Sequence, residues 1–149
     1  MNNLVRLSMK DFNQFLELKA LCFPNDESER EIWLDLFEDE KSLIFAIKEH
    51  SVLIAYIAIY NWKGEKDYIK LMSIGTHPGY RCQGLSHSLM QYVIDEMRKD
   101  GMHQFKGETR ESNINMQKLF QDFDYKLSHQ IEAGYIDPIE TAYKYSLEF

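Results

Sequence analysis

The sequence predicts an α+β protein, because helical and strand patterns follow one another in the order strand, two helices, three strands, helix, strand, helix, two strands. The clearest helical pattern begins at Leu85, and its apolar residues recur at helical spacing as far as Met97. A strand closes the chain, since apolar residues alternate with polar or small ones from Ala142 to Phe149. No internal repeat or linker interrupts this order, so residues 1–149 are expected to form a single domain.

The first elements are predicted to be a strand and two helices. Leu4 to Leu7 are expected to form a short strand, and Ser8 together with Asp11 predicts the N-terminus of the helix that follows. A second helix is predicted where Ser28 precedes Glu31 by three residues, ahead of apolar residues at helical spacing.

The middle of the chain is predicted to form three strands. Leu43 to Ile47 and Val52 to Tyr60 are rich in β-branched and aromatic residues and are predicted to form a hairpin. A further strand runs from about Tyr68 to Thr76. Pro78 and Gly79 end it, because proline cannot donate to a strand ladder and glycine permits unusual turns.

Two weaker elements lie between the long helix and the closing strand. Gln104 to Thr109 is predicted to be a strand, and Met116 and Phe123 lie at the two ends of a short helical pattern.

Composition and charge exclude several classes of protein. The net charge of -7 disfavours binding to nucleic acids and to anionic membranes over most of the surface. Cys22 and Cys82 are too few for a disulfide framework and lack the spacing of metal ligands. The start of the chain does not resemble a signal peptide, and no apolar run is long enough to span a membrane, so a cytoplasmic location is expected.

The segment from Thr76 to Ser86 joins a strand to a helix through two glycines and Arg81. Helix N-termini leave backbone N–H groups unpaired and carry positive potential, and glycine lets an anion approach them. We therefore predict an anion-binding loop, with a ligand-free strand-to-helix turn as the alternative. Gly79 to Ser86 also has the spacing of a P-loop, but Leu85 stands where the phosphate-contacting lysine belongs.

The loop resembles the signature of the GNAT superfamily of acyl-CoA-dependent N-acetyltransferases, which is Arg or Gln, any two residues, Gly, any residue, then Gly or Ala. Here that signature reads Arg81-Cys82-Gln83-Gly84-Leu85-Ser86, with serine in place of the last small residue. The stretch Asn113 to Phe120 is similar to the second cofactor-contacting helix of the family. The resemblance covers about Tyr68 to Tyr125. It implies a central mixed, mostly antiparallel sheet of six to seven strands flanked by about four helices.

The resemblance also assigns a site for acetyl-CoA as co-substrate, with no metal. It implies pantetheine contacts from the strand before the loop, pyrophosphate contacts from the loop, and further contacts from the later helix: Ile74, Thr76, Arg81, Cys82, Gln83, Gly84, Leu85, Ser86, Asn113 and Phe120. The strand that ends at Thr76 is expected to splay from the strand near Glu108 and so admit the pantetheine arm. For Asn113 a helix cap is an equally open interpretation.

Glu108 is the candidate general base, because Glu108 to Asn113 resembles the corresponding stretch of ribosomal-protein alanine acetyltransferases. The alternative is a surface carboxylate paired with a neighbour such as Arg110. The family's usual catalytic tyrosine is replaced by Phe120, which cannot donate a proton. Lys70 occupies a position where some members carry a basic glutamate.

The resemblance therefore implies an enzyme that transfers acetyl groups from acetyl-CoA to a primary amine of a small molecule or peptide, as a monomer or homodimer. The alternative is a non-catalytic CoA-binding module of the same fold. A cationic acceptor is a further hypothesis, because acidic residues lie in the segments that shape the acceptor site in the family; solvated acidic surface is the competing interpretation. These residues are Asp26, Glu27, Glu29, Glu31, Glu132, Asp137 and Glu140.

Overall fold

The protein has the predicted α+β architecture in a computed structural model, which describes residues 3–26, 30–61 and 67–149. Seven strands and four α-helices lie within these ranges. The strands are β1 (Leu4–Arg6), β2 (Ser42–Glu49), β3 (Val52–Tyr60), β4 (Tyr68–Thr76), β5 (Gln104–Arg110), β6 (Lys126–Tyr135) and β7 (Glu140–Glu148). The helices are α1 (Phe12–Cys22), α2 (Arg30–Glu38), α3 (Leu85–Lys99) and α4 (Ile114–Asp122).

One sheet contains all seven of these strands in the order β1-β2-β3-β4-β5-β7-β6. Every neighbouring pair is antiparallel except β4 and β5, which run parallel. That parallel pair is short, since only Tyr68–Lys70 pairs with Gln104–Lys106. Beyond Lys70, β4 pairs with none of the described residues on its β5 side, so the sheet opens there. This confirms the predicted divergence between the two strands.

The sheet carries a hydrophobic core on each face, as the period-two alternation of its strands requires. On one face, β3 residues such as Ile57 pack with Leu89 and Val93 of α3. On the other, Tyr56 packs with Phe15 of α1, their ring centroids 4.9 Å apart. Full burial of one such large apolar side chain contributes about 1.5–3 kcal/mol, so both faces stabilise the sheet.

The N-terminal cap predicted from the sequence is present. The backbone N–H of Ser8 donates to the Asp11 carboxylate at 2.9 Å, and a short 3-10 turn, Met9–Asp11, leads into α1. β1 ends at Arg6 rather than Leu7, although the Leu7 N–H still donates to the Ile44 carbonyl at 2.8 Å. Ser28, the predicted cap of the second helix, lies outside the described residues.

The C-terminal hairpin, β6 and β7, forms the far edge of the sheet. β7 alternates buried and exposed residues as predicted, whereas nearly all of β6 is exposed. Two register shifts interrupt the β6–β7 pairing, one between Leu127 and His129 and one between Ile131 and Tyr135. An exposed edge strand with shifted register lacks a clean alternation, which is why the sequence pattern does not locate β6. Among the residues the structure describes, no helix is both long enough and apolar enough to cross a membrane.

Candidate functional site

A cavity of about 810 Å³ lies where β4, α3 and α4 meet. Ile74, Gly75 and Thr76 of β4 form one wall, and the loop before α3 forms another. Cys22 and Phe23, at the end of α1, also line it. Because β5 no longer pairs with this part of β4, the cavity reaches side chains from both faces of the sheet.

The loop before α3 has the geometry of an anion site. Gly84 is the N-cap residue of α3 and is left-handed, with φ of 77°, and Cys82 is also left-handed at 65°. Open space lies beside Gly84, since a Cβ built there meets no atom within 4 Å. The first amides of α3 face the cavity end of the helix, where they have no intrahelical acceptor.

Arg81 adds a full positive charge to this loop, and its side chain lines the same cavity. The Ser86 hydroxyl lies 3.1 Å from the Thr76 hydroxyl and ties the first turn of α3 to the end of β4. The loop thus offers backbone donors, one guanidinium and two hydroxyls to a ligand. These are the groups that hold phosphate in proteins.

The two cysteines lie in different environments within this cavity. Cys22 is buried, and that burial raises the pKa of its thiol to about 11, against the opposing charge of Arg81. Cys82 is exposed in the loop. A thiol with so high a pKa is almost entirely protonated at neutral pH, so Cys22 is not a nucleophile.

Asn113 is the N-cap of α4, and its side-chain oxygen accepts a hydrogen bond from the Met116 N–H at 3.1 Å. The capping interpretation is therefore confirmed. Asn113 also lines the cavity, so contact with a cofactor stays a prediction that is compatible with the cap. The end of α4 is held to α3 by a 2.9 Å contact between the His87 imidazole and Asp122.

Two of the predicted cofactor residues, Gln83 and Phe120, do not line this cavity. Phe120 is 1 % exposed, and its ring stacks on Tyr145 with centroids 4.7 Å apart. The same ring covers Gly107 of β5, where an added Cβ would be 2.4 Å from the Phe120 Cζ. Gly107 was not identified from the sequence, because only the fold brings α4 across β5 at this point.

Glu108, the candidate base, lines a second cavity of about 410 Å³ on the side of the sheet that faces away from α3 and α4. It lies two residues beyond Lys106, the last residue of β5 that pairs with β4. Its carboxylate is 3.5 Å from the Lys70 ammonium, and both side chains are about one-third exposed, at 34 % and 40 %. Glu108 therefore lies where the sheet opens.

The predicted alternative, a surface carboxylate paired with a basic neighbour, agrees with the contact between Glu108 and Lys70, but Arg110, the neighbour named as its example, is not the partner. Arg110 instead contacts the Glu140 carboxylate at 3.2 Å and donates to the Pro138 carbonyl at 2.8 Å. Residues i and i+2 of a strand share a face but are about 7 Å apart, so the guanidinium reaches the β6–β7 turn more readily than Glu108. Lys70, on the neighbouring strand, is the partner of Glu108.

The β6–β7 hairpin lies against this second site. Burial raises the pKa of Tyr135 to about 12, and the nearby negative charge of Glu108 adds to that rise. The Tyr135 ring also lies under the Arg110 guanidinium, 4.6 Å from its centroid. Hydrogen bonds from the side chain and backbone of Ser112 lower the pKa of Glu140. These hydrogen bonds anchor the β6–β7 turn.

The comparisons with known proteins identify the family. Residues 12–125 match the model of the acetyltransferase (GNAT) family. The chain therefore belongs to the GNAT acetyltransferase family, whose members are acyltransferases. No sequence match is found among curated proteins.

Solved structures share this fold across nearly the whole chain. The ribosomal-protein-S18-alanine N-acetyltransferase from Escherichia coli superposes with a TM-score of 0.87 at 20 % identity, over 97 % of this chain and 92 % of that one. Arabidopsis thaliana NAA60, in complex with acetyl-CoA, gives a TM-score of 0.84 at 13 % identity, over 98 % of this chain and 97 % of that one. YncA from Salmonella typhimurium, with its cofactor acetyl-CoA, gives 0.79 at 16 % identity over 97 % and 92 %. At these identities the likeness shows the fold.

Proposed function

We propose that the protein transfers an acetyl group from acetyl-CoA to the primary amine of a small molecule or peptide, directly and within a ternary complex. The observation that carries this proposal is the opening between β4 and β5. The loop from Arg81 to Ser86 borders it on one side of the sheet, and the Glu108 carboxylate borders it on the other.

In this proposal the pyrophosphate of acetyl-CoA binds the N-terminus of α3. Arg81 neutralises part of its charge, and the amides from Cys82 to Ser86 donate to its oxygens. The open space beside Gly84 supports this assignment, because no atom of the described residues lies within 4 Å of the position that a Cβ would occupy there. The pantetheine arm runs along the unpaired edge of β4, where the backbone of Ile74 and Thr76 is available.

Glu108 accepts a proton from the incoming ammonium group, because only the neutral amine has a lone pair. The amine nitrogen then attacks the thioester carbonyl, the carbon–sulfur bond breaks, and CoA leaves as a thiolate. The amide nitrogen loses its remaining extra proton to solvent, and Glu108 passes the proton that it accepted to solvent as well. Phe120 offers no proton to that thiolate. A thiol of ordinary pKa, about 8.5, is nevertheless a competent leaving group near neutral pH, so the step proceeds without a general acid.

Binding of the cofactor is tested first, by calorimetry with acetyl-CoA. Arg81→Ala should weaken binding about 10- to 100-fold, since a charged hydrogen bond contributes about 1.5–3 kcal/mol. Arg98→Ala removes the same charge at the far end of α3 and should leave the affinity unchanged. If the unmodified protein does not bind acetyl-CoA, the proposal fails.

Catalysis is tested by following the free thiol of CoA with a panel of amines. Glu108→Gln should lower kcat/KM about 10²- to 10⁴-fold, the usual contribution of a general base. Glu148→Gln is the matched control, because Glu148 is exposed on β7 and does not line the Glu108 cavity. Equal activity of the two variants would remove Glu108 from the mechanism.

A non-catalytic CoA-binding module is the second candidate. It is favoured by Phe120 in the tyrosine position and by the ion pair between Lys70 and Glu108. This candidate predicts tight binding of acetyl-CoA with no release of thiol for any amine tested. Turnover with a single amine would exclude it.

A further inference from the structure

The cavity around Glu108 is positively charged, although the whole chain has a net charge of -7. Three lysines line it, together with His129, and Glu108 is the one carboxylate among the described residues of its lining. The lysines are Lys70, Lys106 and Lys144. A local excess of basic groups in an acidic protein concentrates anions at that point of the surface.

The positions of these lysines are set by strand pairing. Lys70 lies opposite Lys106 across the parallel pair, and Lys144 lies opposite Glu108 across the β5–β7 pair. Like charges placed directly opposite each other destabilise a sheet. The positive charge of Lys106 is partly compensated by the Tyr68 ring, because the Lys106 Nζ lies 4.2 Å from the ring centroid.

Glu108 does not neutralise all three ammonium groups. Among the described residues, Lys70 alone of the three lies within 4.0 Å of a carboxylate. Lys106 and Lys144 are both exposed and point to the same face of the sheet as Glu108. Two ammonium groups are therefore available to an anion bound next to the candidate base.

We infer that the acceptor is a small primary amine that also carries an anionic group, either a carboxylate or a phosphate. Its amine lies beside Glu108, and its anionic group lies between Lys106 and Lys144. Opposed side chains in a sheet are about 5 Å apart and i, i+2 neighbours about 7 Å, so only a few bonds separate the two groups. This inference rests on the proposed acetyl transfer.

The assignment is the opposite of the cationic-acceptor hypothesis that the acidic residues of the sequence suggest. Glu140 is held by Arg110 and by the Ser112 N–H at 2.6 Å, so it is not free to bind an amine. Glu27 and Glu29 lie outside the described residues. The charge that borders Glu108 itself is basic.

The test compares amines that differ only in the anionic group. O-Phosphoethanolamine is paired with ethanolamine, and 4-aminobutyrate with 4-aminobutanamide; putrescine and a neutral tripeptide complete the panel. We expect kcat/KM to be at least about tenfold higher for the acid of one pair or the other, and the pair that responds separates phosphate from carboxylate. Equal rates within both pairs, or faster acetylation of putrescine or the peptide, would overturn the inference and leave acetyl transfer intact.

Variants connect that preference to the lysines. Lys106→Met and Lys144→Met should each lower kcat/KM for the acid about tenfold or more and leave the rate with its neutral partner nearly unchanged. Lys10→Met is the matched control, because Lys10 is exposed in the turn before α1 and does not line the cavity. A similar loss with both substrates would mean that these lysines support the fold and do not bind the acceptor.

A binding measurement keeps the anion site separate from turnover. Succinate and inorganic phosphate are titrated into the full chain, and the NMR signals of lysine side chains are followed. Saturable shifts of Lys106 and Lys144, absent for Lys10, support the site even if no amine in the panel is acetylated. Absence of saturable shifts overturns it, whatever calorimetry shows for acetyl-CoA.

Discussion

Substitution of Gly107 by alanine should destabilise the protein through Phe120. The added Cβ would lie 2.4 Å and 2.6 Å from two carbons of the Phe120 ring, about 1 Å inside ordinary contact. The ring cannot move aside easily, because it is 1 % exposed and packs against Tyr125 and Tyr145, with centroids 4.9 Å and 4.7 Å away. Overpacking of this kind costs about 1–3 kcal/mol, whereas glycine to alanine in an unstrained backbone gains about 0.4–1 kcal/mol.

The expected net loss for Gly107→Ala is therefore about 1–2 kcal/mol in the free energy of unfolding, or several degrees in Tm for a chain of this size. Urea unfolding measures it, and Phe120→Leu supplies the control, because it removes the ring that the new methyl group meets. In the Phe120→Leu background, Gly107→Ala should be neutral or stabilising, a coupling of about 0.5–3 kcal/mol. An equal cost in both backgrounds would show that Phe120 does not fill the space above Gly107.

Two further predictions concern the loop before α3 and the β6–β7 turn. At pH 8 the exposed thiol of Cys82 should react with iodoacetamide well before that of Cys22, because burial raises the pKa of the Cys22 thiol to about 11. Acetyl-CoA should protect Cys82 from this reaction. Peptide mapping that shows Cys22 labelled first would contradict the prediction. Hydrogen bonds from Ser112 lower the pKa of Glu140 in the folded state from its ordinary value of 4.5. The stability that Glu140 contributes is thus fully present above about pH 4.5 and is lost as the pH falls through the folded-state pKa. Urea unfolding of the wild type and Glu140→Gln should give curves that converge as the pH is lowered, and a constant difference from pH 7 to pH 3.5 would contradict the assignment.

Local patterns in the sequence were sufficient to predict most of the helices and strands. The alternation of β7 and the helical spacing of α3 each depend on residues that are close in the chain, so a short window contains the whole signal. The same holds for the Asp11 cap and for the strand-to-helix loop at Gly84. The bounds of β6 could not be predicted from the sequence, because an exposed edge strand has no buried face and therefore shows no alternation of apolar and polar residues.

The loop from Arg81 to Ser86 was identifiable from the sequence because its chemistry lies in six consecutive residues, and the family match over residues 12–125 confirms the resemblance that it suggested. The partners of Glu108 were not identifiable in this way. Lys106 and Arg110 are its nearest basic neighbours in the chain, each two residues away, yet Lys70, on another strand, is the group that contacts it.

The sequence by itself was enough to predict most of the secondary structure, the family and the loop that is proposed to bind an anion, since each depends on neighbouring residues or on a contiguous motif. Only the tertiary structure decided which side chains surround Glu108, the candidate base, and which side chain covers Gly107. Those contacts join strands and helices that are remote in the chain, and they are fixed by the register of β4, β5 and β7 and by the packing of α4. Strand register places Lys106 and Lys144 around Glu108, and so gives a cavity with a basic lining to an acidic protein.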